Sequence, residues 1–484
     1  MPQTLVVFRM HRLRQGPRVL DAASGALLAL LVTLAGCALP AKPERPDSLP
    51  FKSAEAFSSA GELPPPERWW RAFDDPALSE RIEQGLAKNL TLEASWQRLQ
   101  AAQAVADRAR ADLWPDLDGT ARVDDQNGGS GSDSDSELSL GVQAAYEVDL
   151  WGRIRRAADA EALRAEAQRA DYQTAALTLA GQITRTWYRL SEARLQLRVL
   201  SDQIDTNETV LELLRTRFGA GLIRSADILR QQQLLAATRE QAEAARARIA
   251  VLDHQLAVLQ GRPPQAAAET EATALPALPP VPATGLPAEL VERRPDVRAA
   301  FLALAAADQG LAAAVRAQYP RLDLSAATRS VADNPGDLFD EWLTTVAAQV
   351  IGPLLDGGER RAEVRRTQAV RGERLAEYGQ TVLTAFQEVE DAVSNEERQR
   401  ARIGHLARQL RLARQTSAQL RTQYLNGVTD YLAVLTALTE EQQLQRDLLS
   451  ARLNLVEFRI QLYQALAGAF ETPREVATTS AGRD

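Results

Sequence analysis

Sulfur, imidazole and lysine are scarce in this 484-residue chain. It has one cysteine, Cys37, three histidines (His11, His254 and His405), and lysine only as Lys42, Lys52 and Lys88. One cysteine closes no disulfide within the chain and builds no zinc cage, and three scattered histidines leave few transition-metal sites. No lysine follows a glycine, so there is no phosphate-binding loop, and the shortage of cysteine and histidine leaves no catalytic triad to assemble. The chain is therefore expected not to be an enzyme and to hold no metal or cofactor. A basic surplus is missing too: the formal charge is −8, which argues against a nucleic-acid partner. With 45% hydrophobic and 25% charged residues the chain is too apolar to be disordered.

No long hydrophobic span stands out either. The apolar run from Ala22 to Leu34, behind Arg9, Arg12, Arg14 and Arg18, is about 13 residues, short of the roughly 20 a membrane helix needs. It has the layout of a cleaved export signal over residues 1–36. Leu34-Ala35-Gly36-Cys37 follows and resembles the bacterial lipobox, which implies that Cys37 is acylated and becomes the first mature residue. The competing reading is a buried structural cysteine. The same resemblance implies an outer-membrane destination, because Ala38 and not an aspartate follows the cysteine. Losing residues 1–36 removes four arginines and Asp21, leaving a net charge of about −11. The segment 37–75 carries prolines at 40, 43, 46, 50, 64, 65 and 66, which keep a tether extended.

Elsewhere proline is absent over long stretches. None lies between Pro115 and Pro263, or between Pro353 and Pro473. Proline inside a helix costs about 3 kcal/mol, so such gaps, rich in Ala, Leu, Arg, Gln and Glu, suit long helices. Arg153 to Phe218 and Glu359 to Tyr424 contain no turn cluster, and at about 1.5 Å per residue each is a rod of roughly 100 Å. Both rods end alike: Leu214-Arg-Thr-Arg-Phe-Gly-Ala-Gly221 is answered by Leu420-Arg-Thr-Gln-Tyr-Leu-Asn-Gly427. Further helical runs follow, Asp227 to Gln260 and Tyr431 to Leu466, so each pair reads as a helical hairpin capped at glycine.

The repeat extends upstream. Trp114-Pro115-Asp116-Leu117-Asp118 matches Tyr319-Pro320-Arg321-Leu322-Asp323, an internal duplication of about 205 residues. Behind these landmarks the periodicity becomes two. Leu117, Gly119, Ala121 and Val123 alternate with polar residues, as do Leu138, Leu140, Val142, Ala144, Tyr146 and Val148, and then Leu322, Leu324 and Ala326; Trp342 to Ile351 is a weaker strand. Apolar-out, polar-in strands of this length fit a transmembrane barrel, and a half-buried soluble sheet fits the alternation equally well. In a membrane, four strands per chain close no barrel, so several chains would have to share one.

Four stretches carry a resemblance to a known family. They are Trp69-Trp70-Arg71-Ala72-Phe73-Asp74-Asp75-Pro76-Ala77-Leu78, Leu86-Ala87-Lys88-Asn89-Leu90-Thr91-Leu92, Glu292-Arg293-Arg294-Pro295-Asp296-Val297 and the two glycine hairpins. In this order, behind a lipobox, the chain resembles the TolC-like outer-membrane efflux proteins, in particular their lipoprotein branch of OprM and NodT type. The resemblance implies a mainly α protein with a membrane β-barrel portion: a homotrimer whose twelve-stranded barrel continues into a periplasmic α-helical barrel. It implies a passive exit duct for small molecules, energised by an inner-membrane pump of RND type through a periplasmic adaptor, and anchored in outer-membrane lipid.

On that basis the domain plan is a first repeat over 76–262 with its hairpin at 116–150, a proline-rich linker over 263–295, a second repeat over 296–470 with its hairpin at 321–351, and a flexible tail over 471–484. The family places a gate at the periplasmic tips. Tyr424, Asp430 and Tyr431 are gate candidates there, with Arg217 and Arg421 as ion-pair partners, and Gly219, Gly221 and Gly427 mark turns that meet the adaptor. Two readings of Asp430 stand, a charged ring near the channel axis and a cap of the helix that follows. Trp151 and Trp342 read either as membrane-interface anchors or as packing at the barrel-to-helix junction. Arg293, Arg294 and Asp296 read as structural, at the start of a helix. The alternatives to a small-molecule duct are a lipid-anchored coiled-coil scaffold without a pore and a type I protein-secretion duct.

Overall fold

The computed structural model describes residues 51, 56–58, 66–126, 135–266 and 274–481. The export signal, Cys37 and most of the proline-rich segment lie outside the described residues.

Two series of elements follow one another with nearly equal lengths. After α1 (Pro76–Lys88), the first runs α2 (Leu90–Ala111), β1 (Asp116–Gln126), β2 (Asp135–Val148), α3 (Arg153–Gly219) and α4 (Ser225–Leu259). A short α5 (Pro287–Arg293) precedes the second: α6 (Pro295–Arg316), β3 (Arg321–Ala332), β4 (Leu343–Ile351), α7 (Glu359–Leu425) and α8 (Tyr431–Leu466); α9 (Pro473–Ala481) ends the fold. Both α3 and α7 have 67 residues. Each is preceded by a carboxylate that accepts from backbone amides where the helix starts. Asp149 accepts from the N–H groups of Ile154 at 3.0 Å and Arg155 at 2.9 Å, and Asp356 accepts from Gly358 at 2.9 Å.

The described chain forms two compact units, residues 100–167 with 301–376, and the remainder. The first contains an antiparallel sheet in the order β1-β2-β3-β4. Its register keeps the period-two pattern in phase across all four strands. Leu117 faces Ala144, which faces Ala326, which faces Val346, and on the other side Asp118 faces Gln143, then Ala327, then Thr345. A slip of one residue would exchange the faces. The apolar face is bare: Leu117, Val123, Val346 and Val350 are about 70% exposed, and β1 and β4 each leave one edge unpaired. β4 starts at Leu343, so Trp342 stands just before the strand.

The second unit is built on aromatic packing. Trp69 and Trp70 are completely buried; Trp69 stacks on Tyr463 at 6.0 Å and Trp70 meets Phe470 edge-on at 5.1 Å. Trp187 Nε1 donates to Asp75 at 2.8 Å, and the other oxygen of Asp75 accepts from Leu78 N–H at 3.0 Å, capping α1. Between α7 and α8, Arg459 and Glu396 form a buried bidentate pair at 2.6 and 2.9 Å.

Two expected loops differ. The segment 471–484, expected to be a flexible tail, holds α9, because Thr472 bonds the buried Tyr172 hydroxyl at 2.8 Å and Arg474 donates to the last carbonyls of α1, at Leu86 and Ala87. The linker 263–295 holds α5, opened by Pro287 at its first position, and α6 begins on Pro295 itself.

Candidate functional site

The two helical hairpins turn by the same backbone device. After α3, Leu222 N–H donates to Arg217 C=O at 3.0 Å and Gly221 N–H to Phe218 C=O at 2.8 Å; after α7, Val428 donates to Gln423 at 2.8 Å and Gly427 to Tyr424 at 3.1 Å. These are Schellman closures, which need a left-handed residue, and Gly221 and Gly427 supply it at φ +72° and +75°. Gly219 is different: it is the last residue of α3, without a positive φ, and a Cβ there would meet nothing. Gly219→Ala is therefore expected to leave the melting temperature unchanged or raised, whereas Gly221→Ala should lower stability by about 1–2 kcal/mol. Equal melting curves for the two variants would refute the assignment.

Above the turns the two hairpins share a small core. Leu214 of α3, Tyr424 of α7, and Tyr431 and Val434 of α8 are buried together, with Ile223 and Ile228 packed on them. Tyr424 and Tyr431 rings lie 5.7 Å apart, and the Arg217 guanidinium sits over the Tyr424 ring at 4.8 Å. Tyr431 donates its hydroxyl hydrogen to Gln231 Oε1 of α4 at 2.5 Å. Burial pushes the pKa of both phenols up, so both stay neutral at ordinary pH.

This arrangement places each of the expected gate residues. Tyr424 and Tyr431 are packed inside the hairpin core. Arg217 engages a ring in place of a carboxylate, and among the described residues neither Arg421 nor Asp430, both exposed, makes an ion pair. Asp430 does cap α8, accepting from Ala433 N–H at 3.0 Å. Arg224, at the matching position before α4, makes no side-chain cap. The five candidates thus divide into a packed group, Arg217 with the buried Tyr424 and Tyr431, and two exposed charged residues, Arg421 and Asp430.

A chain of buried amides continues from this group. Gln231 Nε2 donates to Asn207 C=O at 2.8 Å, Gln442 Nε2 to Asn207 Oδ1 at 3.1 Å, and Gln203 Nε2 to Gln442 C=O at 3.1 Å, linking α3, α4 and α8. Sequence reasoning missed these residues. A signal was present: Asn207 and Gln231 each stand four residues before a buried leucine, Leu211 and Leu235, on the apolar stripe of their helices. At the turns themselves Phe218, Leu222, Leu425 and Val428 are apolar and 47–73% exposed.

Trp151 and Arg294 make structural contacts. Trp151 Nε1 donates to Pro320 C=O at 2.6 Å and its ring lies 5.2 Å from Tyr319, so it packs the junction between sheet and helix. Arg294 is buried, bonding Asp296 at 2.7 and 3.0 Å, Glu388 at 2.7 Å and Ala465 C=O at 3.1 Å.

Residues 82–262 and 286–468 match the family described as outer membrane efflux protein. The pyoverdine export outer membrane protein OpmQ of Pseudomonas aeruginosa is 32% identical, over 84% of this chain and 88% of that protein. The toluene efflux pump outer membrane protein TtgI of Pseudomonas putida is 29% identical over 91% and 97%. Among solved structures the outer-membrane channel OprN is 28% identical with a TM-score of 0.80, covering 90% of this chain and 99% of that one. The chain belongs to the outer membrane efflux protein family, whose members are transport channels rather than enzymes.

Proposed function

We propose that the chain is the outer-membrane exit duct of a tripartite efflux assembly. The sheet β1–β4 carries this reading, with one polar face, one apolar face and two open edges. In hydrocarbon each unsatisfied backbone group at an open edge costs several kcal/mol, so copies must join edge to edge. Three copies supply twelve strands. Asp116, Asp118, Gln143, Glu147 and Asp323 then line water, and Leu117, Val123, Val346 and Val350 meet lipid. The 67-residue helices α3 and α7, each about 100 Å long, supply the walls of a periplasmic α-helical barrel. The two series of matching elements are an internal duplication of about 205 residues.

Lipid on Cys37 anchors each copy in the outer membrane of a Gram-negative cell. The exposed apolar turn residues Phe218, Leu222, Leu425 and Val428 meet a periplasmic adaptor, and an inner-membrane pump of RND type supplies the energy. OpmQ is named for pyoverdine and TtgI for toluene, cargoes of unlike chemistry. Selection is accordingly assigned to the pump, and the duct conducts small molecules passively through a gate at the hairpin tips.

Purified protein is expected to run as a trimer by native mass measurement and to conduct ions in discrete steps across planar bilayers. A monomer without conductance, as a lipid-anchored coiled-coil scaffold would give, overturns the proposal.

A further inference from the structure

Three helices of the second unit pack along seams in which amides replace apolar residues at one level. Along α3 the buried positions from 200 to 214 are Leu200, Gln203, Asn207, Leu211 and Leu214. Along α4 those from 231 to 242 are Gln231, Leu235, Thr238 and Ala242, again at the spacings of three and four that coiled packing uses. Asn207 and Gln231 are fully buried, and Gln442, which meets Asn207 from α8, is 4% exposed. The bonds among them close a ring. Tyr431 of α8 donates to Gln231 of α4, Gln231 donates to the Asn207 carbonyl of α3, and Asn207 Oδ1 accepts from Gln442, back on α8. Asn207 Nδ2 also donates to Thr238 Oγ1 of α4 at 3.1 Å, so this one side chain meets both partner helices. Residues 431 and 442 are about 16 Å apart along a helix, so α8 is held at two heights.

We infer that Asn207 and Gln442 are positioning residues of the gate: they fix the register of α8 against the α3–α4 hairpin and thereby keep Tyr431 opposite Gln231. Apolar contacts are non-directional, so a seam of leucines would let α8 slide along α3 and exchange one neighbour for the next. Amides pair only where a donor meets an acceptor at about 3 Å, and a buried amide that loses its partner disfavours the slipped state. A polar side chain at one seam position acts in this way in coiled coils, specifying register at some cost in stability. The inference rests on the reading of the hairpin tips as a gate and adds to it the residues, well above the turns, that hold the tips in register.

The full-length double variant Asn207→Leu with Gln442→Leu tests it. No buried partner is stranded: Gln231 keeps the carbonyl of residue 207, Gln203 keeps the carbonyl of residue 442, and Thr238 donates to the Leu234 carbonyl at 2.9 Å. Its urea midpoint in detergent is therefore expected to equal or exceed that of the parent, because both polar partners leave together. Resting conductance across planar bilayers is nevertheless expected to rise, by about tenfold if one buried hydrogen bond's worth of bias is lost. Tyr431→Phe opens the same ring at its other end, so the triple variant should leak less than the product of the two separate effects. If Tyr431→Phe leaks while the double variant stays at the parent's level, the register role is overturned and the gate reading stands. A leak accompanied by a lower urea midpoint, or effects that multiply in the triple variant, also overturns the register role. If neither variant leaks, both readings fall.

Discussion

Arg459→Ala is expected to destabilise the protein by about 3–5 kcal/mol, because it strands the Glu396 carboxylate in the core. Arg459 is fully buried and Glu396 is 2% exposed. Arg459 also donates to the Pro279 and Pro280 carbonyls at 2.7 and 3.1 Å, so its loss releases the linker from α8. Arg400 reaches Glu396 at 2.8 Å as well, but its side chain is 46% exposed, which places the loss toward the lower end of that range. Replacing both partners with apolar residues, Glu396→Leu with Arg459→Met, should recover most of the stability, since the pair's attraction mainly offsets its own desolvation. Urea unfolding of the detergent-solubilised protein measures both, and a single variant as stable as the parent would refute the role.

The same pair sets an acid limb. Burial works against the Glu396 charge, but hydrogen bonds from Arg459 and Arg400 outweigh it and hold its pKa below the usual 4.5. The charged pair therefore stabilises fully above the pKa of an unfolded glutamate. That contribution fades as pH falls below about 4.3 and through the lower folded value. Glu396→Gln should flatten this limb.

Tyr431→Phe is expected to raise conductance at rest. The variant keeps the ring and removes the hydroxyl that joins α8 of one hairpin to Gln231 of the other, leaving Gln231 Oε1 buried without that donor. An unmet buried acceptor costs about 1–3 kcal/mol, and about 1.4 kcal/mol shifts a closed-to-open ratio tenfold. Tyr424→Phe is the control. Its hydroxyl has no hydrogen-bond partner among the described residues, so resting conductance should hardly change. Equal single-channel records for the two variants would remove the Tyr431 hydroxyl from the gate.

Much of the fold was legible because the signals are local. Proline gaps marked the 67-residue helices, the glycines at 221 and 427 marked their turns, and period-two alternation assigned the faces of three strands before any pairing was known. The site was less legible. Tyr424, Tyr431 and Arg217 were recognisable as candidates near the turns, but their mutual packing and the bond from Tyr431 to Gln231 were not. No sequence pattern states whether an aromatic beside a turn faces inward to a neighbouring helix or outward to solvent. The tail went unread for the same reason: Thr472 and Arg474 become anchors only where Tyr172 and the end of α1 meet them.

The amino-acid sequence by itself determined the types and approximate lengths of the long helices, their doubled order and the two-faced strands, since each follows from backbone preference and periodicity within a few turns of chain. Only the tertiary structure decided the partners: β2 with β3, Glu396 with Arg459 across 63 residues, Gln231 with Tyr431 across 200. Such choices depend on complementary charge, hydrogen bonding and shape between distant segments, which compete on equal terms until packing brings them together.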